Sequence, residues 1–147
     1  MKQVLYLSIV FILLMGVSFP SFCQEINLEG AWSLTQAEIQ KVENNGELIN
    51  LPYQKGLYDN PNDCIFSELK FEKDNQCICM DDKIMEYSMK YTIEKENKLT
   101  IWFSALVTLN FSIEAGNQLH ISREYSRYDI TTWEIITMKV HLIYSKI

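Results

Sequence analysis

The sequence predicts an all-β chain that closes into an up-and-down antiparallel barrel of about eight strands. A repeated turn is the first observation behind this: Phe71-Glu72-Lys73-Asp74-Asn75-Gln76-Cys77, Ile93-Glu94-Lys95-Glu96-Asn97-Lys98-Leu99 and Ile113-Glu114-Ala115-Gly116-Asn117-Gln118-Leu119. Each reads apolar, Glu, two variable residues, Asn, Gln or Lys, apolar. Asn tolerates the left-handed backbone that a three-residue hairpin loop needs at its last position. The second observation is a period-two alternation of apolar and polar residues between the turns. The third is the near absence of helical periodicity, with Thr35–Val42 the only ambiguous stretch.

Residues 1–23 have the three-part anatomy of a secretory leader. Lys2 gives a positive start, Val4 to Val17 is nearly all apolar, and Ser21 and Cys23 stand at −3 and −1 of a cleavage site before Gln24. The apolar core is short of the ~20 residues that a spanning helix needs. A competing reading makes Cys23 a lipidated N-terminus and tethers the protein to a membrane, although Pro20 and Phe22 stand where a lipobox wants a Leu-like and a small residue. The expectation is a leader over 1–23 and one exported domain over 24–147, periplasmic or secreted.

The first strand opens at Leu28-Glu29-Gly30-Ala31-Trp32-Ser33-Leu34, with Trp32 and Leu34 on one face. Residues 43–63 break the pattern with Asn44-Asn45-Gly46, Pro52, Gly56 and Asn60-Pro61-Asn62, although a short edge strand fits Glu47–Leu51. This stretch carries Leu48, Ile49, Leu51, Tyr53, Leu57 and Tyr58, too apolar for a plain connector, and is read as a lid over one end of the barrel. From Ile65 the alternation is regular. Ile65, Leu69 and Phe71 share a face, and the odd loop length turns Cys77 and Cys79 to it as well. Met85, Tyr87, Met89, Tyr91 and Ile93 continue that face. Leu99, Ile101 and Phe103 follow, then Leu109, Phe111 and Ile113, then Leu119 and Ile121. A last run places Ile136, Met138, Val140, Leu142 and Tyr144 inward, and the segments near Ser104–Thr108 and Ser126–Thr132 are read as loops at the same end of the barrel as residues 43–63.

Net charge is −6 at pH 7, and losing Lys2 with the leader makes the remainder more acidic. That argues against nucleic acid or an anionic membrane as partner, because phosphate contacts need clustered Lys and Arg. Cys77 and Cys79, two apart on a strand, sit at the far limit for a disulfide, and no structural disulfide is expected. The two histidines, His120 and His141, fall on the face opposite Cys77 and Cys79, so no metal set is expected. Asp81-Asp82 reads as a solvated turn. No catalytic constellation, metal or cofactor emerges, and the chain is expected to be a monomer without enzymatic activity.

Gly30-x-Trp32 at the first strand, the hairpin meander and Tyr144-Ser145-Lys146 at the end resemble the lipocalin superfamily, and more closely the small exported lipocalin-like domains common in Bacteroidetes. The resemblance implies that Gly30, Trp32 and Lys146 close the base of the barrel, with Lys146 packed over Trp32 where the family usually has Arg. It also implies ligands at the opposite end. The inward set Tyr87, Met89, Tyr91, Phe103, Phe111, Arg123 and Tyr125 would then line a pocket for a small apolar or amphipathic molecule, or else pack as a core without a cavity. The alternative is a protein-interaction module, an inhibitor or immunity-type protein, that uses residues 43–63 and an acidic rim on a protein partner.

Overall fold

The computed structural model of the chain describes residues 26–53, 65–81, 86–95, 97–102, 106–114, 117–129 and 132–147. Its strands are β1 (Gly30–Val42), β2 (Leu48–Leu51), β3 (Glu68–Glu72), β4 (Gln76–Met80), β5 (Glu86–Glu94), β6 (Lys98–Trp102), β7 (Leu106–Glu114), β8 (Gln118–Asp129) and β9 (Glu134–Lys146). Every pairing is antiparallel. The order is β2-β1-β3-β4-β5-β6-β7-β8-β9, and β1 also pairs with β9. Strands β1 and β3–β9 therefore close into an eight-stranded up-and-down barrel, lipocalin-like in architecture, with β2 laid beside β1.

The repeated turns set the register of this barrel. Phe71 faces Cys77, Ile93 faces Leu99 and Ile113 faces Leu119 across three successive hairpins. Asn75, Asn97 and Asn117 have φ of 59°, 58° and 63°, and Asp74 joins Asn75 in the left-handed region at 67°. A side chain with a Cβ costs about 1–2 kcal/mol there, and Asn offsets part of this through local hydrogen bonds. With the loops odd in length, both flanking residues have the parity of the core face, although Ile93 and Ile113, next to their turns, are 40% and 41% exposed rather than inward as expected. Cys77, Cys79, Leu99 and Leu119 are accordingly among the most deeply buried side chains of the core.

Strand β1 changes phase partway. Its pairing with β9 runs from Trp32↔Lys146 to Leu34↔Tyr144, then resumes at Gln36↔Ile143. Thr35 is the extra residue of this bulge, and its hydroxyl donates to the Ile143 carbonyl at 2.9 Å. Inward positions consequently switch from even (Trp32, Leu34) to odd (Ala37, Ile39), which is why Thr35–Val42 looks irregular as a sequence.

The base is closed by the Gly-x-Trp segment. The Trp32 indole N–H donates to the Leu28 carbonyl at 2.9 Å, and the Lys146 ammonium lies 5.3 Å from the Trp32 ring. Gly30 has φ of +122°, and a Cβ built there would meet Lys146 Cε at 2.8 Å. The glycine thus leaves both the backbone conformation and the space that the lysine needs. Tyr144 donates from its hydroxyl to the Phe66 carbonyl at 3.0 Å, which satisfies both buried groups.

Within residues 43–53 the short edge strand expected over Glu47–Leu51 is present, and residues 54–63 of the expected lid lie outside the described residues. A turn closed by Glu43 N–H to the Glu47 carbonyl, 2.8 Å, leads into β2, which pairs from Val42↔Leu48 to Ile39↔Leu51. Strands β2 and β3 take the same edge of β1 at its two ends, because β3 pairs only with Gly30–Ser33. The last hairpin is longer than expected: Ser126–Asp129, read as an open-end loop, is strand paired with Glu134–Thr137. Leu106–Thr108, also read as loop, belongs to β7.

Candidate functional site

The tight Asn turns and Trp32 mark one end of the barrel, and the opposite end is the one expected to be open. Along β8 and β9 the inward face changes character toward it. Near the base it consists of Leu119 and Ile121 opposite Tyr144 and Leu142, all buried. Farther up, the same face of β8 carries Arg123, Tyr125, Arg127 and Asp129, all half-buried, opposite Val140, Met138, Ile136 and Glu134. Lys41 joins them from β1, opposite Met138. The Arg123 guanidinium lies 4.5 Å from the centroid of the Tyr125 ring. The upper interior is thus apolar on β9 from Val140 to Ile136 and cationic and aromatic on β8 from Arg123 to Arg127, with the acidic pair Asp129 and Glu134 beyond them.

The expected pocket residues are spread along this axis rather than gathered in one ring. Arg123 and Tyr125 stand together toward the open end. Tyr87, opposite Cys79, has its ring 6.1 Å from Phe66. Met89, opposite Cys77, and Phe111, opposite Ile121, are buried in mid-barrel. Tyr91 lies toward the base, its ring edge-on to Phe71 at 5.1 Å, beside a depression bordered by Leu28 and Asn75. Burial, then the neighbouring Cys77 and Glu29, hold the Tyr91 phenol above its ordinary value of 10.0. Phe103 lies outside the described residues.

Of the expected lid, Leu48 and Ile49 are exposed on β2, whereas Leu51 and Tyr53 pack against the core. Leu57 and Tyr58 lie outside the described residues. Tyr53 also borders a depression of about 320 Å³ with Ser33–Ala37, Ser67 and Glu68, where the edge of β1 passes from β3 to β2. The rim at the open end is apolar in places. Trp102 and Leu106 form a cross-strand pair, and the β8–β9 tip carries Tyr128, Trp133 and Ile135. These five side chains are between 52% and 74% exposed.

A second feature went unnoticed in the sequence. On the outer wall Glu38, His141, Ser122 and Asn110 form one cross-strand row over β1, β9, β8 and β7. Together with Gln40, Lys139 and Glu124 of the next row they line a groove of about 290 Å³. His120, one row toward the base, brings its Nδ1 to 3.1 Å from Nε2 of His141, with the rings edge-to-face. The signal was the shared outward parity of the two histidines, but adjacency also required the β8–β9 register.

Among the described residues no group of three or more His, Cys, Asp or Glu side chains has the arrangement of a metal site. Cys77 and Cys79 are free thiols with sulfurs 3.6 Å apart inside the core. Comparison of the chain with family models, curated proteins and solved structures returned no match.

Proposed function

We propose that this protein is an exported, non-enzymatic member of the lipocalin superfamily that binds one small amphipathic molecule at the open end of its barrel. The observation that carries the reading is the graded inward face of β8 and β9. Met138, Val140 and Ile136 offer an apolar wall to a ligand tail, while Arg123, Tyr125 and Arg127 meet a polar or anionic head. Charge-assisted hydrogen bonds from guanidinium groups orient such a head, and apolar contact supplies most of the affinity. The leader-like residues 1–23 support export, with the domain acting as a monomer in the periplasm or outside the cell.

Two fluorescent amphiphiles of equal chain length, one with a carboxylate head and one with a neutral head, test this. Both should bind, the carboxylate more tightly. Arg123→Gln with Arg127→Gln should remove that preference while the neutral probe still binds. Failure of either probe to bind would end the proposal.

The exposed rim favours a second reading, in which a protein partner docks on the open end. Trp102, Tyr128 and Trp133 are the residue types that dominate binding energy at such interfaces. Trp102→Ser with Trp133→Ser separates the two: it leaves probe binding intact if the interior is the site, and abolishes capture of a partner if the rim is.

A further inference from the structure

We infer that His120 and His141 form a surface site for a borderline divalent cation such as Cu²⁺ or Zn²⁺, on the outer wall and independent of the open end. The chain has two histidines, 21 positions apart, and the register of β8 with β9 brings their rings together. His120 Nδ1 and His141 Nε2 are separated by 3.1 Å. With metal–nitrogen bonds of ~2.0–2.1 Å, that separation subtends ~98° at a shared ion. The angle lies between the right angle of a square or octahedral site and the tetrahedral angle. The two nitrogens therefore already have the spacing of neighbouring ligands.

A second observation concerns the other nitrogen of His120. Its Nε2 is buried without a hydrogen-bond partner, and Glu114 Oε2 lies 3.5 Å from it. A carboxylate behind the remote ring nitrogen is the usual support of a metal-binding histidine, because it fixes the tautomer and raises ligand basicity. With the proton on Nε2 facing Glu114, the lone pair of His120 Nδ1 is aimed at His141. Without metal, His141 Nε2–H donates to that lone pair. When an ion enters, the rings turn so that both nitrogens face it rather than each other, this proton moves to His141 Nδ1, and the freed Nε2 lone pair becomes the second ligand. No net proton is released from the neutral pair, whereas a protonated pair must lose its extra proton before binding.

The surroundings define the ion. Glu38 on β1 stands opposite His141, Glu114 lies on β7, and Lys139 and Glu124 are paired with each other at 3.5 Å in the next row. Two imidazoles, with water in the remaining positions, select copper, nickel or zinc over calcium or magnesium.

The test is titration of the whole domain with CuSO₄ or ZnCl₂ by calorimetry, with electron paramagnetic resonance of the copper form. One equivalent should bind, with hyperfine coupling from two imidazole nitrogens. His141→Gln should weaken binding at least tenfold. Glu114→Gln should weaken it about tenfold, the low end for a supporting carboxylate because Glu114 is largely exposed. Circular dichroism should be unchanged in both, since these side chains lie outside the core. The inference is overturned if the His120→Gln, His141→Gln double variant binds copper as tightly as the unaltered protein. It is equally overturned if no stoichiometric binding occurs, which would leave the pair as a hydrogen-bonded dyad.

Discussion

Replacing Gly30 with Ala tests the construction of the barrel base. Two costs are separable in the structure. At φ of +122° a residue with a Cβ occupies backbone territory that is essentially reserved for glycine, a cost of about 1–3 kcal/mol. The new Cβ also meets Lys146 Cε at 2.8 Å. The lysine chain can swing away, and doing so forfeits its contact with the Trp32 ring, worth about 0.5–1 kcal/mol at an exposed site. Gly30→Ala should therefore destabilise the domain by about 2–4 kcal/mol. With a urea slope near ~2 kcal/mol per M, the unfolding midpoint falls by about 1–2 M. Tryptophan fluorescence during urea titration measures it. Lys146→Met alone should cost under about 1 kcal/mol. In the Lys146→Met background Gly30→Ala should keep most of its cost, because backbone strain does not depend on the lysine. If the double variant recovers the stability of Lys146→Met, the clash is the whole effect and the strain argument is wrong. If Gly30→Ala is neutral in both backgrounds, the base does not require glycine at all.

Other consequences can be checked with the same purified protein. Asn→Gly at 75, 97 and 117 should be tolerated, since all three have positive φ, whereas Asn→Val should cost about 1–2 kcal/mol at each by urea unfolding. Tyr91 should titrate later than an ordinary phenol, as followed by phenolate absorbance. Its folded pKa is raised above the unfolded one, so its contribution is fully present below pH ~10 and is lost as pH rises toward the folded pKa. Tyr91→Phe should accordingly flatten the loss of stability on the alkaline side, and an unchanged slope would assign that loss to another group.

The elements that were legible in the sequence are those in which local chemistry and global topology agree. Asn75, Asn97 and Asn117 announce their turns because left-handed backbone selects Asn, and loop parity then assigns Cys77 and Cys79 to the interior. Strand β1 was blurred because Thr35 inserts a residue and reverses the alternation, and a bulge has no residue signature of its own. The β8–β9 turn was placed too early because its left-handed residue is Trp133, at φ of 61°, which is neither Asn nor Gly. Strand β2 was legible as a short edge strand over Glu47–Leu51 in spite of the Asn, Pro and Gly around it. The meeting of His120 with His141 was invisible for a different reason. Parity gives the face of a strand, whereas adjacency needs the register, and the register here follows from a turn that sequence alone misplaced.

The pairing of β1 also has a consequence for the order of folding. Only four of its residues pair with β3, whereas ten pair with β9, the strand that follows all the others along the chain. The hairpins between β3 and β8 join neighbours and can form early, at small loop-closure entropy. The ring cannot close until β9 is available, and until then β1 has one short partner on one edge and none on the other among the barrel strands. Trp32, Leu34 and Ile39 stay in contact with water through that interval. Closure is therefore the slow, late event, and the stage before it, with an exposed apolar strand edge, is when this chain is most open to aggregation and to a chaperone.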